Sequence, residues 1–521
     1  MIGILFPGSA QQAGDFVLAA LRRSVTHDQA SAIARADSAA LSIRVAVDIP
    51  DAWGDELVAW LRAGARKLVV FGRVPEALAD LLGWSNAEFP ADLDAASRSE
   101  PAPSREFRAS RAAVQYAEAA SALGARAWTR PFERFDFTDE WNNLGYGAIR
   151  ADGSCWSIAQ ARNAGAAELA ALTIDGTRQS SYAALADIGA SSVLWFNRAV
   201  GPCDSFEWRV VENFLSGYRP DNLPCQPVLS EIPFGYDAAI TSRLDCDEDV
   251  ESARDLYMLY RELDIPFTLA VHTVNLAEER NLPILRELLE HDGAVLSHTA
   301  SHAPNWGGSY EAALHEGTQS ANLLQGLTGR RVRYAVSPFH QSPDYALRAL
   351  ADAGYTGCVG GIIRNDPEFV LARGGELAAM PRGFIGHSQQ CMLHGECMLA
   401  EGDALAIFKQ AFDQAFETNT LFGYLDHPFS PRYTYGWPDE PTRVAAHRAF
   451  LDYLSTRASK PLFLNEEAAL DFLLQRSRVQ VCQAGGAFSV TLPDGYGADG
   501  LQVGIEYKGR RVPCAAEASF S

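Results

Sequence analysis

Ala294-Val-Leu-Ser-His298-Thr-Ala-Ser-His302 joins a short apolar run to two histidines four residues apart. The run reads as a strand, and imidazoles at that spacing just past a strand end can face one way and share one metal ion. Two surface histidines on an ordinary helix give the same letters. The neighbourhood favours the first reading, because Asp245, Asp247 and Asp249 upstream and His427 downstream also come directly after strand-like runs.

Working outward, apolar runs at Ala238 to Leu244, Phe267 to Val271, Ala294 to Leu296, Tyr334 to Val336, Thr356 to Val359 and Leu421 to Leu425 alternate with amphipathic stretches. The stretches are Asp255 to Glu262, Pro283 to Leu289, Tyr310 to Leu327, Asp344 to Ala353, Leu405 to Phe416 and Val444 to Leu454. This is the pattern of a parallel α/β barrel, in which chemistry gathers at the C-terminal ends of the strands. A barrel unit is therefore expected over residues 231–476.

Ahead of it, residues 1–230 open with three strand and helix pairs: Ile2 to Phe6 with Phe16 to Leu21, Ile43 to Val47 with Leu57 to Ala63, and Lys67 to Phe71 with Pro75 to Leu82. They predict a smaller α/β domain built on a parallel sheet. Glu100-Pro-Ala-Pro-Ser104 marks a surface connection, after which Ser191 to Phe196 and Trp208 to Leu215 resume the pattern. The outline is similar to flavodoxin-like or amidotransferase-like sheets. It has neither a Gly-x-Cys-x-Gly elbow nor a GxGxxG, and Cys155 lacks the flanking glycines of an elbow, so no chemistry is assigned here. From residue 477 the period changes to alternation, as in Phe488-Ser-Val-Thr-Leu, which predicts a small antiparallel β appendage.

At 521 residues the chain exceeds what one core usually holds, and its apolar share of 47% is ordinary for globular proteins. A formal charge of -21 argues against binding the phosphate backbone of nucleic acid. No apolar stretch approaches the ~20 residues of a membrane helix. The first residues carry no basic segment ahead of an apolar run, and the nine cysteines are odd in number and irregularly spaced, so a cytoplasmic protein with reduced thiols is expected.

Four polar clusters follow four strands: Arg243-Leu-Asp245-Cys-Asp247, His298 with His302, Ser337-Pro-Phe339-His340, and Leu425-Asp-His427-Pro. On these motifs the middle of the chain, roughly 234–474, resembles the polysaccharide deacetylase family, the NodB-homology or carbohydrate esterase family 4 group. The resemblance implies a distorted (β/α)7-type barrel and metal-dependent removal of an N-acetyl group from an amino sugar. The family carries an acidic pair, a His-Ser/Thr-x-x-His pair, an Arg-x-Pro-aromatic segment and a late Leu-x-His. His298, Thr299 and His302 match the second motif, and Leu425 with His427 the last. In the first, Cys246 separates the carboxylates, but residues two apart on a strand point the same way, so both can face the barrel mouth. In the third, Val336 stands where the family has arginine. Arg243 either replaces that arginine beside Asp245 or pairs with helices outside the site.

Carried over residue by residue, the resemblance makes Asp245 the base and Asp247, His298 and His302 the ligands of a divalent ion, Zn2+ first, with Co2+, Ni2+ or Mn2+ as alternatives. Asp249 competes with Asp247 for that place or else begins a helix. His427 becomes the acid that protonates the leaving amine, unless it caps the turn at Pro428. Phe339, His340, Trp306 and Arg243 are expected at the substrate, although a tryptophan is as readily core; Tyr433, Tyr435 and Trp437 form a second aromatic group. His387, Cys391, His394 and Cys397 are ligand types that form either a second metal site or a loop over the substrate. The expected substrate is an N-acetylated sugar or a surface-glycan precursor. Two other readings stay open: an amidase acting on a non-sugar amide or cyclic imide, and a non-catalytic glycan-binding barrel.

Overall fold

The structure, a computed structural model, describes residues 1–35, 40–98, 108–135, 148–202, 204–361, 373–430, 432–484, 487–515 and 519–520. The expected connection at Glu100 to Ser104 lies outside the described residues. A nine-stranded sheet occupies the first part, in the order Ala30–Ala32, Ile2–Leu5, Ile43–Val47, Lys67–Phe71, Ser191–Phe196, Thr177–Ile188, Glu168–Ile174, Ala112–Tyr116, Trp128–Pro131. Its first five strands pair in parallel, as expected. The remaining pairings are antiparallel, which corrects the expectation of an all-parallel sheet. Within that antiparallel part, Glu168–Ile174 and Thr177–Ile188 are joined through Asp175-Gly176, both at positive φ (49° and 76°), the two-residue hairpin geometry that asparagine or aspartate followed by glycine supplies.

The second sheet carries the clusters. Its strands are β1 (Ala238–Cys246), β2 (Thr268–Val271), β3 (Ala294–Ser297), β4 (Tyr334–Val336), β5 (Gly357–Gly361), β6 (Gly375–Glu376), β7 (Ile385–Gln389), β8 (Cys391–Met392), β9 (Phe422–Asp426) and β10 (Pro461–Leu464). Between and after them run α1 (Arg254–Glu262), α2 (Leu282–Glu290), α3 (Tyr310–Thr328), α4 (Asp344–Asp352), α5 (Ala406–Glu417), α6 (Glu440–Arg457) and α7 (Glu466–Arg478). The helix starts are written in the sequence: Ser309, Asp439 and Asn465 each cap one by accepting from a backbone N–H three residues on.

Strand alternation sorts the core into two layers. Leu244, Leu269, Val271, Val295 and Ala335 face the helices α1, α2, α4, α5 and α6, against Tyr260, Leu285, Leu350, Phe408 and Phe450. Their neighbours Ala239, Ala270, Leu296, Val336 and Val359 face the other way and pack on Ala469, Leu470, Phe472 and Leu473 of α7. Hydrogen bonding runs β6-β7-β5-β4-β3-β2-β1-β9-β8, with β10 also on β1. The α/β class holds. Among the described residues no closed sheet is found, although Gln390 alone separates β7 from β8 and its N–H donates to Gly423 of β9; α7 packs on the inward-facing side chains.

The C-terminal residues form antiparallel strands in two small sheets. Gln480–Ala484, Ala487–Thr491 and Ser519–Phe520 make one; Val503–Tyr507 and Arg510–Pro513 join Val228–Pro233 in the other. Among the described residues no helix is long and apolar enough to cross a membrane.

Candidate metal centre

The chain leaves β3 in a turn, with Thr299 and His302 at φ +68° and +56°. Glu316 of α3 holds that turn: its Oε2 accepts from the backbone N–H of Ala300 (2.9 Å) and Ser301 (2.8 Å), and its Oε1 from the Ser301 hydroxyl (2.7 Å). His298 Nδ1 meets the Val336 carbonyl oxygen at 3.1 Å. A carbonyl only accepts, so Nδ1 carries the proton and, in the neutral ring, Nε2 presents its lone pair.

Nε2 of His298 and Nε2 of His302 each lie 3.3 Å from Asp247 Oδ1. Among the described residues these three form the one group whose ligand atoms all fall within 4.8 Å of each other. Asp247 Oδ1 is buried and accepts no hydrogen bond. Three potential electron-pair donors converging on one gap suit a divalent cation, and one carboxylate with two imidazoles is a zinc-type donor set. Asp249 is elsewhere: it accepts from the Glu251 N–H (3.1 Å) and pairs with Arg280 (3.1 Å).

Burial opposes charge on Asp247, yet the imidazoles of His298, His427 and His302 hold it far below the usual carboxylate range. Burial and the neighbouring His298 push His302 down to about 3, which keeps it neutral. His298 goes the other way: burial is outweighed by Asp245 and Asp247, so it is raised.

Asp245, on the same face of β1, is buried between Arg243 and the histidines. Arg243 donates from Nε to Oδ1 (2.5 Å) and from an Nη to Oδ2 (3.2 Å). Burial would raise Asp245, but the guanidinium and His298 hold it below its ordinary value, so it is ionised at neutral pH. Arg243 is 1% exposed and faces Asp245 and Glu466. Its expected place at the substrate is corrected to a place behind the carboxylate.

His427 leaves β9 with Nε2 3.6 Å from Asp247 Oδ2, while its Nδ1 is buried without a hydrogen-bond partner. Tyr435 stacks on its ring (centroids 4.1 Å apart, planes 8° apart) and points its hydroxyl at Asp247 Oδ2, 3.3 Å away. The segment around Tyr435 touches that around His394 closely: a side chain on Gly395 would run into the Gly436 carbonyl. His394, Met392, Tyr433 and Tyr435 thus form one wall of a cavity whose other lining residues are Asp245, Asp247, His298, His302, Ser337, Phe339, His340 and His427. Phe339 and His340 are consecutive residues at positive φ (52° and 55°), a conformation costing on the order of 1 kcal/mol or more per residue. It sets the Phe339 ring 4.4 Å from that of His302.

Two further expectations change. Trp306 is fully buried and its Nε1 donates to the Gln341 carbonyl (2.8 Å), so no sugar reaches it. Trp306→Ala is expected to cost about 3–5 kcal/mol of stability, read as a lowered denaturation midpoint, with KM unchanged in the folded fraction. His387, Cys391, His394 and Cys397 do not gather as ligands: His387 Nε2 lies 3.1 Å from the Leu421 carbonyl, and His394 faces the cavity. Trp437 is core, donating to Asp426 at 3.3 Å.

His272 had not been singled out. It follows β2 by one residue, as His298 follows β3, and it contacts the Asp247 backbone carbonyl and Asn275 Nδ2 (2.9 Å), pinning the ligand's main chain. Position alone was the available signal.

The family model described as polysaccharide deacetylase matches residues 244–358. No curated protein matches the chain. Among solved structures, the carbohydrate deacetylase Agd3 aligns over 100% of this chain and 99% of its own at 10% identity and TM-score 0.39. A family 4 acetyl xylan esterase from Clostridium thermocellum, in complex with a cobalt ion, aligns over 45% of this chain and 91% of its own (11% identity, TM-score 0.31). The allantoinase PuuE aligns over 46% and 91% (14% identity, TM-score 0.34). The segment that holds Asp245, Asp247, His298 and His302 is thus the segment that matches the polysaccharide deacetylase family.

Proposed function

We propose that this chain is a metal-dependent hydrolase that removes the N-acetyl group from an amino sugar. The observation that carries the reading is the convergence of Asp247, His298 and His302 with Asp245 and His427 on one cavity. A divalent ion, Zn2+ by preference of the donor set, would when bound supply a Lewis acid that polarises the acyl carbonyl and acidifies water. Asp245, ionised and fixed by Arg243, takes the proton of the attacking water. We assign the backbone N–H near Phe339 to the carbonyl oxygen. His427 delivers a proton to the departing nitrogen, without which an amine leaves poorly.

The cavity wall favours sugar over a small anionic amide. Phe339 and Tyr433 are 41% and 46% exposed at its edge, where aromatic faces suit the apolar face of a pyranose. Among the described residues no arginine lines the cavity, where a carboxylate or imide would call for one. The test is metal analysis joined to acetate release from a panel of N-acetylated sugars and glycans. We expect release that a chelator stops and added metal restores; a folded, metal-loaded protein inert on the whole panel would sink the reading.

A further inference from the structure

We propose that Glu466, in the first turn of α7, is a positioning residue for the base: it fixes Arg243, which in turn fixes Asp245. The inference rests on the hydrolytic reading above. Glu466 is 1% exposed, and its Oε1 lies 2.8 Å from an Nη of Arg243. Its own backbone N–H donates to the Thr268 hydroxyl at 2.9 Å, which ties it to β2, the strand beside β1. One residue earlier, Asn465 caps α7 and donates to the Asp292 carbonyl at 2.7 Å.

The geometry needs such a brace. An arginine reaches its partner through four rotatable bonds, and a single carboxylate on one side leaves the fork free to pivot. A second carboxylate on another edge removes that freedom, so Arg243 meets both oxygens of Asp245 in one orientation. Packing alone does not account for the acid. Glu466 Oε2 is buried without a hydrogen-bond partner, and an apolar residue of similar size would avoid that desolvation penalty. Arg243 thus spans the two carboxylates, and Glu466 makes its contact with Asp245 rigid.

The test compares Glu466→Ala and Glu466→Gln in the full chain. On the substrate that the wild type turns over, we expect Glu466→Ala to lower kcat by about 10–100-fold, the usual loss when an outer partner is removed, with KM within about twofold and metal content unchanged. Glu466→Gln keeps the shape and an acceptor oxygen and should recover most of that loss. In a crystal structure of Glu466→Ala the Arg243 fork should leave its two-point contact with Asp245. An unchanged fork, or a kcat within twofold of wild type, overturns the inference. If the wild type releases no acetate, the hydrolytic reading fails, and the crystal structure still decides whether Glu466 holds the fork. Should Glu466→Ala not fold, Glu466→Leu, which removes the acceptor but fills the space, is read by the same measurements, with the loss of kcat and the displaced fork expected of Glu466→Ala.

Discussion

Asp247→Ala is expected to remove bound metal and activity together. Among the described residues the carboxylate is the one anionic group within shared-ligand distance of both His298 and His302, and two neutral imidazoles alone hold a divalent ion weakly. Metal content should fall from about one per chain to a small fraction under the same dialysis. A metal centre contributes several kcal/mol of transition-state stabilisation, and each ~1.4 kcal/mol is tenfold in rate, so kcat/KM should drop by on the order of 10³-fold or more. The fold should survive, because Asp247 lies just past the strand end with its side chain 20% exposed, and its loss also relieves charge crowding with Asp245. Stoichiometric metal together with near-normal turnover in this variant would remove Asp247 from the centre.

Asp245→Asn separates base from ligand. The amide has the shape of the carboxylate but no affinity for a proton, so general-base assistance disappears while the ion's ligands remain. Such assistance contributes roughly 10²–10⁴-fold, and we expect a fall in kcat of that order with metal content unchanged. The contrast with Asp247→Ala is the diagnostic: one variant loses turnover alone, the other turnover and metal. A loss of metal on Asp245→Asn would mean that Asp245 is itself a ligand and that the base lies elsewhere.

The six strands that bear or flank the motifs were legible because each is a compact apolar run followed by a helical period. β7 was not: Ile-Gly-His-Ser-Gln has one apolar residue in five and is a strand only because its neighbours pair with it. The antiparallel half of the first sheet is rich in alanine and serine, which carry little strand preference, although the Asp-Gly hairpin was there to be read. In the site, the ligands followed from spacing along strands. Trp306 and Arg243 did not, since whether a residue beside a motif faces the cavity or the core depends on long-range packing that no local pattern encodes. The contribution of α7 was likewise hidden: an acid at a helix start is ordinary, and only the packing of α7 across the inner face of the sheet brings Glu466 to Arg243.

That packing gives the proposed site its floor. On the inner face of the sheet Leu470, Leu473 and the Glu466 and Arg243 pair fill the space behind Asp245, while Phe339 and Tyr433 stand exposed at the cavity's edge. On the proposed function, a sugar entering past those two rings would bring its acyl group down onto a floor whose depth is set by where one helix lies.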